Sequence, residues 1–416
     1  MTRRYDIAVI GAGPAGLMAA AAAAGSGRSV LLIEHLSEPG RKLLATGGGR
    51  CNVTTTAPVK AILDAFGRRG RFAEPALRAF GPESLRGFLD ASGVPTVAEP
   101  DGCVFPVSQR AQDVLVALRR AAHAARVCLR CRCRVSGIRV HDGAVSGAIT
   151  AAGHISASTV VLCAGGCAMP GLGSDGSGFS IAAAAGHTVV TPVPALVPLV
   201  TVEDWPRRLS GLTLADARVR IDLPGCSRTG LSGTVLFTHR GLSGPAVLNL
   251  SGEVAAHLAA GEPVTLCLRI RADRDAAAWM ERFGEWRRAG VGGRALQNLL
   301  SGDLPRPLAA TLCALAGEIG SSALCRARGA DLARLAGLCA DVPIAISATE
   351  GWSRAMVTRG GVSLDEIDPQ TLASRLVRGL CFAGELIDLD GPCGGYNLTW
   401  AFASGRLAGQ SAATVG

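Results

Sequence analysis

The sequence predicts an α/β fold: a parallel-sheet domain interrupted by a β-rich segment and a helical segment, then completed by the C-terminus. Three observations predict it. Residues 5–34, YDIAVIGAGPAGLMAAAAAAGSGRSVLLIE, read as strand, glycine turn, helix and strand. Residues 379–409, GLCFAGELIDLDGPCGGYNLTWAFASGRLAG, read far down the chain as a strand, Gly384–Glu385, a loop and a glycine pair opening a helix. Between them the pattern changes to short β-like runs and then to helical periodicity. A chain of 416 residues is too long for one simple core, so more than one domain is expected.

The first strand is the apolar run Ile7 to Ile10, of the kind buried on both faces in a parallel sheet. The turn GAGPAG follows. Gly11 permits the tight turn, Gly13 lets backbone approach a pyrophosphate, and Gly16 allows close helix–strand packing. The alanine-rich helix from Pro14 and Ala15 offers free N–H groups and its positive end to phosphate. Glu34 ends the second strand, where a carboxylate can hold ribose hydroxyls; an acid there argues against a 2′-phosphate. This is a Rossmann-like dinucleotide site. GLGSDG (171–176) has the same glycine spacing, but Pro170 precedes it and no acid ends the next run, HTVV (187–190). It is expected to be a loop beside the first site.

Two further segments end in glycine turns. STVVLCAGG (158–166) is a buried strand suited to close approach at Ala164 and Gly165. In the C-terminal block, Gly384 and Glu385 follow a strand, with the Glu385 carboxylate suited to ribityl hydroxyls. Backbone N–H groups of Gly395, Tyr396, Asn397 and Leu398 open a helix where flavin reduction would place negative charge. Three separated glycine-ended segments favour the elongated dinucleotide FAD over NAD alone. GRKLLATGGGRCN (40–52) lacks the GxxxxGK[ST] order of an NTPase phosphate loop. It is placed to wrap the middle of an extended FAD, with Lys42 near the pyrophosphate and Gly48 and Gly49 permitting backbone contact.

From TPVPALVPLV (191–200) the chain turns to short β-like runs such as LTLADARVRIDL, GTVLFTH and PVTLCLRI, separated by turn residues. Helical periodicity dominates from Asp273 to about Asp341. The expected division is 1–190 with 345–416 for the nucleotide-binding domain, 191–272 for a β-rich insert, and 273–344 for a helical insert.

The chain resembles the BaiN/YhiN-like NAD(P)/FAD-dependent oxidoreductases in GRKLLATGGGRCNVT (40–54), GCVFPVSQRAQDVL (102–115), LFTHRGLSGPAVLNLS (236–251), VTRGGVSLDEID (357–368) and FAGELIDLDGPCGGYNLTWAFASG (382–405). These blocks keep the family order across nearly the whole chain. The resemblance implies a discontinuous FAD-binding domain carrying an inserted β-rich, barrel-like domain and a small helical domain. It implies FAD contacts at Glu34, Lys42, the Gly48–Asn52 stretch (Gly48, Gly49, Arg50, Cys51 and Asn52), Glu385 and Asn397. Val135 completes the expected contact set. The chain departs from the family pattern at Cys393, at TLASR (371–375) and at CAMPGLGSDGSG (167–178), all around the expected flavin, so the substrate is not carried over.

Composition narrows the class further. Apolar residues at 48% and charged residues at 18% exclude general disorder, and no run approaches the roughly 18 apolar residues of a spanning helix. The N-terminus has the arginines and apolar run of an export signal, but Asp6 interrupts the run and GAGPAG accounts for it, so a cytoplasmic protein is expected. The net charge of +9 comes almost entirely from arginine, in dispersed clusters without interleaved aromatics, which argues against a nucleic-acid surface. The 14 cysteines are read as reduced thiols. CLRCRC (128–133) has no second CxxC or nearby histidine, and no metal is expected.

The flavin carries the redox chemistry, so the candidate catalytic side chains are few. His239 sits at a strand end in FTHRGLSGP, Tyr396 adjoins the expected flavin edge, and Cys51 falls in a loop that approaches it. Cys393 lies in a second such loop, but disulfide-reductase flavoproteins present a CxxC or CxxxxC that Cys51 lacks. The leading expectation is an FAD enzyme reduced by NAD(P)H as co-substrate that passes hydride to a small organic acceptor such as a conjugated enone. An RNA-modifying flavoenzyme, and a non-enzymatic flavin-bound redox sensor, are the alternatives.

Overall fold

The computed structural model describes residues 4–414, which form two compact units. One comprises the chain up to Pro194 together with that from Trp352 onward; the other runs Ala195–Gly351.

The first unit begins with β1 (Tyr5–Ile10), α1 (Pro14–Ala24) and β2 (Val30–Ile33). α2 (Ala111–Ala124) leads into β3 (Cys128–Arg130), and a meander follows: β4 (Val135–His141), β5 (Ala144–Thr150) and β6 (Gly153–Leu162). β6 is divided between two partners. Its N-terminal half pairs antiparallel with β5, whereas Ala157 to Leu162 run parallel to β1.

The second unit is the insert. β7 (Leu199–Thr201), β8 (Thr213–Ile221), β9 (Leu231–Phe237) and β10 (Gly241–Ser243) precede α3 (Pro245–Ala259) and β11 (Val264–Arg269). Three longer helices follow, α4 (Ala276–Arg288), α5 (Arg306–Leu315) and α6 (Gly329–Ala340), and then β12 (Val342–Thr349). The six strands close as β7-β10-β9-β8-β11-β12, with β12 returning to β7, so no edge strand is left open. The sequence divides this region at 272/273. In the structure barrel and helices share one hydrophobic core, in which Val219, Phe237 and Leu268 are continuous with Trp279, Leu312 and Leu335. Short amphipathic helices cannot bury their apolar faces alone, and here the barrel and its neighbouring helices cover them.

The chain then returns to the first unit with β13 (Leu380–Phe382), parallel to β6, and α7 (Tyr396–Thr414). The main sheet runs β3-β2-β1-β6-β5-β4, with β13 also on β6. The alanine and glycine content of the two long helices has a packing cause. A Cβ on Gly405 would lie 2.3 Å from the carbonyl oxygen of Ala15, and one on Gly409 would lie 2.2 Å from that of Ala19. α7 therefore seats against the backbone of α1, which larger residues would prevent.

Candidate functional site

The parallel strands of the first unit end in register. Ile10 pairs with Ile33 on one side and Leu162 on the other, and Leu162 pairs with Phe382. The residues that follow continue the row through backbone bonds: Gly11 N–H to the Ile33 carbonyl (2.8 Å), Cys163 N–H to Ile10 (2.8 Å) and Ala383 N–H to Leu162 (3.1 Å). Gly11, Glu34, Ala164 with Gly165, and Gly384 with Glu385 thus share the carboxyl edge of one sheet. That edge is where open α/β sheets bind ligands.

The three glycines of the first turn have separate roles. A Cβ on Gly16 would fall 1.8 Å from the Gly11 carbonyl oxygen, so the helix start could not seat on the turn with any side chain there. Gly11, at φ +96°, is pressed by the Cys163 carbonyl, which a Cβ would meet at 2.5 Å. Gly13 is different: its Cβ direction is open, with no atom within 4 Å. The chain itself does not require glycine at that position, whereas an approaching phosphate would. No side chain caps α1, and Pro14 occupies its first turn, so the N–H groups of Ala15 and Gly16 point out of the helix start.

Glu34 is buried and held by two backbone N–H donors, Ala12 to Oε2 and Leu36 to Oε1, both at 2.9 Å. The carboxylate is oriented before any ligand arrives. The Cys133 N–H donates to the Glu34 carbonyl at 2.9 Å, which brings the chain entering β4 at Val135 to the same end of the sheet. The 171–176 loop lies there too: a Cβ on Gly173 would meet the Leu36 side chain at 2.7 Å.

The 40–52 segment crosses this edge and is pinned at both ends. Lys42 Nζ lies 2.6 Å from Glu385 Oε2, and Thr54 Oγ1 lies 2.7 Å from Thr399 Oγ1 on α7. Gly47, Gly48 and Gly49 all have positive φ, and all three are exposed. Gly48, like Gly13, has an open Cβ direction. Arg50 is occupied by protein partners, with Glu99 Oε1 at 2.7 Å, Gln109 Oε1 at 3.1 Å and the Phe105 ring beneath its guanidinium. Asn52 Oδ1 accepts from Val104 N–H at 3.2 Å.

Glu385 joins the segments. Its Oε1 accepts the Thr358 N–H at 2.8 Å, and Thr358 Oγ1 accepts from Cys167 N–H (2.8 Å) and Ala168 N–H (3.2 Å). A Cβ on Gly166 would strike Thr358 Oγ1 at 2.2 Å. Thr358 and Gly166 are site residues that sequence reasoning missed, since a lone threonine in VTRGG carries no local signal. It also missed a charged group in the segment just before Gly391. Asp388 is ion-paired with Arg69, and Asp390 lies 3.8 Å from Arg359. Burial raises both carboxyls above the usual range against the opposing pull of the arginines.

Asn397 braces the preceding loop: Oδ1 accepts from Gly391 N–H and Nδ2 donates to the Gly391 carbonyl, both at 2.8 Å. Gly395, at φ +90°, lies against the Thr54 carbonyl, which a Cβ would meet at 2.3 Å. Tyr396 and Leu398 are half-buried at the start of α7, with the Tyr396 ring over Gly394.

The candidate catalytic residues lie in different surroundings. Cys51 is fully buried at φ +64°, and burial pushes its thiol up to about 12 despite a hydrogen bond with Thr46. Burial and a raised thiol argue against a thiolate at Cys51 and favour a packing role in the loop. Burial likewise pushes Cys393 up to about 11, and no disulfide joins these cysteines. His239 belongs to the second unit, exposed in the turn between β9 and β10. The CLRCRC cysteines do not converge: Cys128 is in β3, whereas Cys131 and Cys133 lie in the loop after it.

The residues fit FAD: an oriented buried acid, two glycines whose Cβ directions are open, and a Lys–Glu pair along the same sheet edge. Fold and site define a Rossmann-type flavoprotein. The chain belongs to the family described as HI0933-like protein Rossmann domain, which it matches over residues 5–411. It is 34% identical over 413 residues to a 3-dehydro-bile acid delta(4,6)-reductase of Clostridium scindens, covering 98% of each chain. It is 31% identical over 407 residues to a ribosomal RNA dihydrouridine synthase of Escherichia coli, again covering 98% of each. Among solved structures it shares its fold with a 3-ketosteroid delta1-dehydrogenase of Sterolibacterium denitrificans (TM-score 0.51, 14% identity, 99% and 100% of the two chains). No helix among the described residues is long and apolar enough to cross a membrane.

Proposed function

We propose that this protein is a cytoplasmic FAD-dependent reductase that uses NAD(P)H to saturate a carbon–carbon double bond conjugated with a carbonyl. The observation that carries the proposal is the single row of strand ends in which Glu34, Gly13, Lys42 and Glu385 converge. The full-length likeness to a delta(4,6)-reductase supports the acceptor class. A bound FAD supplies a two-electron centre able to accept hydride from a reduced nicotinamide and deliver it to carbon.

The protein's part is to bind and orient. Glu34 receives ribose hydroxyls on the lone pairs left by Ala12 and Leu36. The α1 N-terminus and the open face of Gly13 take the pyrophosphate, and Glu385, steadied by Lys42 and Thr358, takes ribityl hydroxyls. The helix start at Gly395–Leu398 would stabilise the ring edge that gains charge on reduction. The balance is enone, NAD(P)H and one proton giving saturated ketone and NAD(P)⁺. Tyr396 is the proposed proton donor in the first unit.

A second reading has an observation of its own. The likeness to a ribosomal RNA dihydrouridine synthase favours a uridine in RNA as acceptor. The chemistry is shared, since the uracil 5,6-double bond is also conjugated with a carbonyl. Anaerobic turnover of NADH and NADPH with steroidal and simple enones, and separately with unmodified ribosomal RNA, tests both. Enone-dependent oxidation of the nicotinamide supports the first reading, and oxidation with RNA alone, suppressed by salt, replaces it with the second. A flavin that neither acceptor reoxidises refutes both. Tyr396→Phe should slow the acceptor half-reaction and leave the nicotinamide half-reaction unchanged.

A further inference from the structure

One cluster in the second unit plays no part in the flavin site. Glu253 and His257 lie one turn apart on α3, on the same face of the helix. The loop between β8 and β9 crosses that face and presents Cys226, which packs with Leu223 and Leu258 on the barrel core. Cys226 Sγ is 3.5 Å from His257 Nε2, and the ligand atoms of Cys226, Glu253 and His257 all lie within 4.8 Å of one another. On the far side of the imidazole, His257 Nδ1 donates to Glu262 Oε2 at 2.6 Å. Glu262 is itself fixed at the helix end by its N–H to the His257 carbonyl (3.0 Å).

We propose that Cys226, Glu253 and His257 form a binding site for zinc or a zinc-like divalent ion, with Glu262 as the positioning residue for the imidazole. Three arguments support it. Tetrahedral zinc with bonds of about 2.3 Å to sulfur and about 2.0–2.1 Å to nitrogen needs ligand atoms about 3.4–3.6 Å apart, which the Cys226–His257 pair already satisfies. The Glu262 carboxylate fixes the tautomer in which Nε2 keeps its lone pair toward the thiol, the arrangement found behind metal-bound histidines. Third, Glu253 brings a carboxylate one helical turn from His257, so that a thiol, a carboxylate and an imidazole meet within 4.8 Å. Binding releases the thiol proton to solvent and leaves the fourth position to water, and it ties the 222–230 loop to α3.

The full-length flavin-loaded protein, stripped with EDTA, should take up one zinc per chain against a competing chromophoric chelator. Cobalt(II) should give the intense visible bands of a tetrahedral thiolate site to the red of the flavin absorption. Cys226→Ser and His257→Ala should each weaken zinc by at least a hundredfold and abolish the cobalt bands. Glu262→Gln, which leaves every ligand in place, should weaken zinc about tenfold. Cys325→Ser, at an exposed cysteine elsewhere, should change nothing. Retained flavin spectra show that the variants are folded. If a ligand variant does not fold, wild type against Glu262→Gln decides the matter alone. Equal zinc uptake by wild type and the ligand variants, no uptake by wild type in competition with the chelator, or equal affinity of wild type and Glu262→Gln where no ligand variant folds, overturns the proposal.

Discussion

Lys42 Nζ and Glu385 Oε2 lie 2.6 Å apart although 343 positions separate them in sequence. The pair ties the glycine segment of residues 40–52 to the C-terminal return of the nucleotide domain, and both partners are about four-fifths buried. If they cooperate in holding FAD, Lys42→Ala and Glu385→Gln should each weaken its retention about tenfold, or about 1.4 kcal/mol. The double variant should lose less than the sum, because the two residues touch. Equilibrium dialysis of FAD against the four proteins measures this; strict additivity would show that the pair does not act as a unit.

Two glycines in one turn should respond in opposite ways. Gly13→Ala adds a methyl into open space at φ −77°, so thermal stability should hold within about 0.5 kcal/mol while FAD affinity falls. Gly16→Ala drives a methyl into the Gly11 carbonyl, so the fold itself should suffer. Apoprotein melting beside flavin titration separates the two, and a Gly13→Ala protein with unaltered flavin affinity removes the pyrophosphate from that position.

That contrast shows how far the sequence is legible. Glycine turns are local, so the first forty residues and the last forty announce strand, turn and helix without help. The register that aligns Ile33, Ile10, Leu162 and Phe382 is long-range, and so is the threonine that binds Cys167 and Ala168 across about 190 positions. Neither leaves a local pattern. The residues by themselves read only as short strands, and the barrel was expected only from the family resemblance, because closure pairs β7 with β12 across the whole insert. Cys51 shows the converse: its neighbours in sequence suggest a reactive thiol, and its burial, which no local pattern announces, argues against one.

Cys51 should therefore be silent to thiol reagents in the native protein, whereas exposed Cys325 reacts at once. Cys51→Ala should keep flavin reduction and lose about 1–2 kcal/mol of stability through the vacated volume. Timed labelling with mass mapping reads the first point; rapid labelling of Cys51 with loss of flavin reduction would restore it to the chemistry.

Acid stability should carry a contribution from Asp175. Its carboxylate accepts from Ser177 N–H at 3.1 Å and from Ser177 Oγ at 2.6 Å, and pairs with Arg134 at 2.8 Å. Despite opposing desolvation, these bonds hold it down at about 2. A depressed folded value means the unfolded chain binds the proton more readily, so the stabilisation is complete above about pH 4 and is lost as pH falls toward 2. The residue is exposed, and solvent screening limits the effect to about 1 kcal/mol. Asp175→Asn should be less stable than wild type at neutral pH and converge with it near pH 2, as urea unfolding across that range will read.

The most direct test of the central claim is a single turnover. The purified protein, with its flavin reduced anaerobically by NADPH or NADH, is mixed with a 3-oxo-4,6-diene steroid and followed by absorbance and product mass. The oxidised flavin spectrum should return in step with one equivalent of product two hydrogens heavier. Reduced flavin that persists beside unchanged steroid, and returns only when oxygen is admitted, would contradict it.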